Sequence, residues 1–277
     1  MKLPRSSYYY TPTVSVWKEK QDADLRGRIE QVVCEFAGYG YRRVTKQLQR
    51  EGVKVNHKKV LRIMHESSLL CAVKHSYKRT TNSQHPYPRY PNLLKDTIVT
   101  AINQVWVADI TYIRIATSFV YLAVILDSYS RKAIGYALSD RLETGLTLAA
   151  LRMAIAERKP LARCIHHSDQ GVQYACCDYV KELKQHGLLI SMARAGNPYE
   201  NAQVESFFKT LKYEEVNLFN YRTFDEVIQR VPYFIQEVYN KKRLHSSIGY
   251  VPPEEFELFT NVKERETKSE FLLTITK

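Results

Sequence analysis

From Val105 onward the apolar residues of this chain stop recurring every three or four positions and begin to alternate. That change of period limits the fold more than any other feature, because side chains repeat every 3.6 residues on a helix and every two on a strand. "VWVADITYIRI" is strand-like, and "SFVYLAVILDS" with "RKAIGYALSD" forms a hairpin pair. "TGLTLAALRMAIAERK" is helical, "ARCIHHS" a strand, "CCDYVKELKQHG" a helix ending at Gly187, and "LLISM" a strand. Last comes "NPYENAQVESFFKTLKYEEV", a helix with Asn197 as its cap and Pro198 at its first position. The order βββαβαβα predicts an α/β fold, a mixed sheet with helices on its faces, over residues 101–216.

The chain ahead of this core reads as all-helical. "DADLRGRIEQVVCEFAG" places Leu25, Ile29, Val32, Val33 and Phe36 on one face, with Asp22 in the capping position. "YRRVTKQLQREG" buries Val44 and Leu48 and stops at Gly52. Asn56 caps "HKKVLRIMHESS", whose inward face carries Val60, Leu61 and Met64 and leaves Lys58, Lys59 and Arg62 elsewhere. Two short helices, a glycine turn and a basic second helix fit a helix-turn-helix domain at 20–71, with 57–66 as recognition helix and those three cations as its DNA contacts. Any three-helix bundle shares the pattern. Residues 72–100, with Pro86, Pro88 and Pro91, read as a basic extended linker. Residues 217–262 read as a helical C-terminal extension, opened by a Thr223–Glu226 capping box and kinked at Pro232.

Charge narrows the partners. Against 29 acidic residues stand 41 Lys and Arg, a net charge of +12. Such an excess favours a polyanion, since each neutralised phosphate releases condensed counterions. No apolar run reaches the length of a membrane span, and "MKLPRSSYYYTPTVSVW" lacks a signal-peptide core, so cytoplasm is the expected location. Five cysteines without a CxxC pair argue against a disulfide framework, and His57, His65, Cys71 and His75 match no common zinc-finger spacing.

Three carboxylates carry the chemical interest. Asp109 interrupts an otherwise apolar strand, which is costly unless the acid is paired, protonated or metal-bound. Asp169 follows the strand "CIHHS" directly, where an aspartate is also an ordinary turn residue. Glu205 shares a helical stripe with Asn201, Lys209 and Lys212, beside the apolar stripe Val204, Phe207, Phe208 and Leu211. A solvated face with a Glu205–Lys209 pair explains that stripe equally well. Between Asp109 and Asp169 lie 59 residues, and between Asp169 and Glu205 lie 35. In a βββαβαβα sheet the first and fourth strands can be neighbours and the last helix can cross them, bringing all three acids to one sheet end. Asp127 reads as a hairpin-turn residue, with a fourth acid as the alternative, and His167 as part of the strand end, with a functional role beside Asp169 as its alternative.

"WVADITYI", "HSDQGVQY" and "GNPYENAQVESFFKTLKYE" resemble the three signature blocks of the DDE transposases and retroviral-type integrases, and most closely the OrfB-type transposases of bacterial insertion sequences. The likeness extends to "YGYRRVTKQL", "VNHKKVLRIM" and "YNKKRLHSSIGYVPPEEF", and so covers most of residues 38–257. Glu200 departs from it, standing where the family usually has Asp. The resemblance implies an RNase H-like five-stranded core in which Asp109, Asp169 and Glu205 hold two Mg²⁺ or Mn²⁺ ions. It implies metal-dependent DNA strand cleavage followed by 3′-OH strand transfer, on transposon ends and target DNA, by a homo-oligomer. An upstream OrfA-type protein, fused or separate, is a further implied partner. Lys209 and Lys212 are expected to turn outward to end phosphates, and Asn201 to orient Glu205 or touch DNA. For Arg243 and His245 the resemblance says only that the block recurs.

Two rival readings remain at this point. A ribonuclease of the same fold wants a further acid within the helix after the hairpin strands, whereas Glu143 and Glu157 flank its ends. A DNA-binding regulator with a vestigial core would share every block, though an intact triad argues against decay.

Overall fold

The computed structural model describes residues 16–70, 87–95, 97–160, 162–193 and 201–262. The chain divides into two compact units, residues 1–73 and 74–277.

The first unit holds three helices: α1 Val16–Glu35, α2 Tyr41–Arg50 and α3 His57–Glu66. Leu25, Ile29 and Val32 of α1 meet Val44 and Leu48 of α2 and Val60, Ile63 and Met64 of α3 in one small core. Gly52, at φ +85°, ends the α2 turn, and Asn56 caps α3 by accepting the Lys58 N–H at 2.9 Å. Two expectations change here. Leu61 is exposed and Ile63 takes its inward place, because positions 60, 63 and 64 share a stripe while 61 is turned away by 100°. Asp22 is no cap, since α1 begins at Val16. It lies within α1 and accepts Lys59 Nζ at 2.7 Å and Arg62 Nη2 at 2.6 Å. Those hydrogen bonds, Lys59's first, hold its carboxyl below the ordinary range.

The second unit is built on strands β1 Val105–Arg114, β2 Phe119–Asp127, β3 Ala133–Ser139, β4 Ile165–Ser168 and β5 Leu189–Met192. Their order is β3-β2-β1-β4-β5, with β1–β2 and β2–β3 antiparallel and β1–β4 and β4–β5 parallel. Helix α4, Thr144–Arg158, follows β3. Then α5, Val172–Ala175, and α6, Cys177–Gln185, connect β4 to β5, and α7, Ala202–Leu211, follows β5. Alternation along β1 divides the core in two. Trp106 and Ala108 face the layer containing α4 and α6, while Val105, Val107 and Ile113 face α7. Gly135 on β3 lets α4 approach closely, since a Cβ there would stand 2.3 Å from the Ala150 carbonyl.

Beyond α7 the helix widens into π-helical turns over Lys212–Val216. Helix α8, Phe224–Tyr233, starts at a Thr223 cap that accepts the Glu226 N–H. It runs through Pro232 and continues as π-helical turns over Phe234–Asn240. Proline has no N–H for the i−4 bond, and a wider register accommodates that loss without ending the helix. A last helix spans 253–262.

Part of the expected linker belongs to this unit. Leu93 N–H donates to Ser191 Oγ at 2.9 Å and Met192 N–H reaches Pro91 O at 3.4 Å, so this segment covers the β5 edge. Leu94 and Val99 pack against the α7 side of the core. Residues 72–86, and the expected helix start at 197–200 with Glu200, lie outside the described residues. No helix among the described residues is long and apolar enough to cross a membrane.

Candidate active site

Strand register brings the first two acids together. Val105 pairs with Ile165 and Val107 with His167 across the parallel β1–β4 ladder. Asp169 follows the last residue of β4 directly, Asp109 stands just past the stretch of β1 paired with β4, and the Asp169 charge is felt at Asp109. Asp169 opens the turn into α5, its Oδ1 accepting the Gly171 N–H at 2.9 Å. Gly171 suits that turn because a Cβ there would stand 2.9 Å from the same oxygen. Glu205 comes from the first turn of α7, which lies on β1 through Val204, Phe207, Phe208 and Leu211.

Both other acids act on Asp109. Burial pushes the Asp109 carboxyl well above the ordinary aspartate range, the negative charge of Asp169 adds to it, and Glu205 adds further. A hydrogen bond from the Ile110 N–H to Asp109 Oδ1, at 2.8 Å, works in the other direction, as does Lys212. Among the described residues no three acidic, histidine or cysteine side chains already form a ligand cluster. The crowding of like charge on Asp109 is nonetheless what a divalent cation relieves, and carboxylate oxygens are the donors that Mg²⁺ accepts. In that respect the residues fit the ion.

The stripe beside Glu205 divides on inspection. Lys209 is exposed and its Nζ lies 3.8 Å from Glu205 Oε2, a surface pair worth at most about 1 kcal/mol. Lys212 turns inward, contrary to expectation. Its ammonium sits 4.7 Å from the centre of the Tyr112 ring and in the field of Asp109. An offset of seven residues returns to nearly the same helix face, so Lys212 follows Glu205 towards the sheet end. Asn201 is buried and donates Nδ2–H to the Ala108 carbonyl at 3.3 Å, which fastens the start of α7 to the residue before Asp109. Lys58 is exposed on α3, while Lys59 and Arg62 are engaged with Asp22.

The neighbouring polar groups are structural. His167 Nδ1 meets Ser191 Oγ at 2.8 Å, joining β4 to β5. His166 packs against Tyr179 OH at 2.9 Å, and burial lowers its pKa to about 3, so it stays neutral. Asp127 is wholly buried and accepts the N–H groups of Asn103, Tyr129 and Ser130, which organises the β2–β3 turn. Tyr112 is the member of this neighbourhood that sequence reasoning missed. No local pattern marked it, since an odd offset from Asp109 alternates to the other face of a regular strand.

Asp109 also links the site to stability. Its folded pKa lies above the unfolded value, so its contribution is fully present below the unfolded pKa and is lost as pH rises through the folded one. Asp109→Asn should therefore raise the unfolding temperature of metal-free protein at neutral pH. The advantage should vanish below about pH 4, where unfolded aspartate is itself protonated. Equal midpoints at neutral pH in EDTA would contradict the raised pKa.

Integrase core domain families match residues 99–198 and 186–253, and an HTH-like domain family matches residues 19–77. A 31 kDa protein of insertion element IS600 from Shigella sonnei is 39% identical over 263 residues, covering 92% of this chain and 94% of its own length. The transposase for insertion sequence element IS904 from Lactococcus lactis is 38% identical over 86% of this chain and 94% of its own. The putative transposase InsK for IS150 from Escherichia coli is 36% identical over 92% and 90%. With likeness at that level along nearly its whole length, the chain belongs to the insertion-sequence transposases that carry an integrase core.

Proposed function

We propose that this transposase cuts DNA strands at the ends of its insertion sequence and joins the freed ends to target DNA, with Asp109, Asp169 and Glu205 as its catalytic carboxylates. Water breaks a phosphodiester to leave a 3′-OH, and that hydroxyl then attacks a second phosphodiester in line. The observation that carries the reading is topological: parallel pairing runs β4 beside β1 up to the residues before Asp169 and Asp109, and α7, which carries Glu205, packs on β1. When bound to these carboxylates, two Mg²⁺ or Mn²⁺ ions supply activation of the attacking oxygen and stabilisation of the leaving one.

The protein's own groups set up that chemistry. In this reading Asp109 on β1 and Asp169 just past β4 face one ion site, and Glu205 joins them from α7, which lies on β1. Asn201 holds the start of α7 at β1. Lys212 offsets part of the negative charge from within the site. The first unit serves as the DNA-recognition domain, with α3 as its reading helix, and the transposase acts as a homo-oligomer on DNA.

Incubation of the full chain with labelled end DNA and Mg²⁺ should give joined product, and EDTA should remove it. Joining that persists in EDTA would overturn the metal assignment. Lys58→Ala and Lys209→Ala should each flatten the salt dependence of end binding by about one unit of slope, the signature of one lost phosphate contact. An unchanged slope would return that lysine to the solvated surface.

A further inference from the structure

A cleft of about 330 Å³ opens on the α7 side of the sheet, and none of Asp109, Asp169 and Glu205 is among the described residues that line it. Leu94, Val99, Val107 and Ala202 give it apolar walls, and Lys95 lines it too. Val107 stands two residues along β1 from Asp109, on the same face. Three side-chain amides meet in this cleft: Asn92, Asn201 and Gln203.

Each of those amides has an unmatched atom. Asn92 Nδ2, Asn201 Oδ1 and Gln203 Oε1 are buried without a hydrogen-bond partner among the described residues. Leaving a buried polar atom unpaired is costly, and three around one cleft point to a ligand that pairs them. Two of the amides have a fixed sense. Asn92 Oδ1 accepts the Leu94 N–H at 2.8 Å, so its NH₂ is the free group. Asn201 gives its NH₂ to Ala108, so its oxygen is the free group. The residues that line the cleft therefore hold a free donor and a free acceptor, with Gln203 able to supply either, between apolar walls.

A nucleobase matches this arrangement. It is flat, its faces are apolar, and amide side chains pair a donor–acceptor edge of a base with two bonds. An enzyme that works on DNA can admit a base only after unstacking it. We propose that the cleft holds one unstacked nucleobase of the DNA strand beside the phosphodiester under attack, with Lys95 on the adjoining phosphate. The proposal rests on the DNA-joining reading above and adds the site that sets the strand's position relative to Asp109.

The test places 2-aminopurine at each position of the end DNA in turn, in complex with the full chain. One position should brighten several-fold on binding, and Gln203→Met should remove most of that rise and weaken binding about tenfold, the value of one matched hydrogen bond. Wild-type protein on DNA made abasic at that position should lose at least that factor, since the whole base is removed, a measurement that needs no variant. If no position brightens in a complex that joins DNA with Mg²⁺, the cleft proposal is wrong and the joining reading stands. If the complex joins nothing with Mg²⁺, the joining reading itself fails, and this proposal with it.

Discussion

Asp109→Asn, Asp169→Asn and Glu205→Gln are each expected to lower strand cleavage and joining at least about a thousandfold, while end DNA is still bound. Each change removes one charge with almost no change in shape. Lewis-acid stabilisation at phosphorus is worth several kcal/mol, and each ~1.4 kcal/mol is a factor of ten in rate. Joined product and gel shift should be measured on the same preparations, because a misfolded variant loses both. Asp109→Asn offers an internal control, since the same variant should be more stable than wild type when metal-free. A fully active variant at any one position would remove that residue from the triad.

Arg243→Met should lower stability by about 3–5 kcal/mol, the usual consequence of leaving one member of a buried ion pair alone. Arg243 Nε and Nη2 each donate to Glu214 at 2.7 Å, and both side chains are nearly inaccessible. For a unit of this size that is a fall of roughly 10 °C or more in the unfolding midpoint. Adding Glu214→Gln should recover much of the loss, because the stranded carboxylate is then neutral. A midpoint within about 2 °C of wild type would show that water reaches Glu214 in the variant. The pair lies just past α7, so its loss should also loosen the helix that carries Glu205.

Strand order was legible because it follows from local pattern. Period-two runs gave the hairpin strands, Gly187 marked a helix end, and the alternation of helix and strand allowed a crossover that seats β4 beside β1. The inward turn of Lys212 was equally available, given its seven-residue offset from Glu205, but phosphate contact was the more familiar role for a lysine. Other features had no local signal. Glu214 and Arg243 are far apart in sequence and meet only because the chain returns after α8. Asp22 looked like a cap because aspartate usually is one, whereas two cations from another helix are better partners. The cover on the β5 edge was hidden in a proline-rich stretch, where a few apolar residues pack without any period. Asn201 read as a polar neighbour of Glu205, and its burial depends on a carbonyl of β1 that sequence cannot place.

The Asp22 tie across the first unit has a consequence for how long this protein stays on DNA that is not its own. By sequence α3 offers three cations in a row of five residues, Lys58, Lys59 and Arg62. In the structure Asp22 occupies two of them, and Glu66 takes Arg62 as well, at 2.9 Å. Phosphates of random sequence must compete with these carboxylates and gain little by winning. If α3 reads DNA as proposed, the internal acids shorten its dwell on wrong sites, and the right site must supply base contacts to hold it.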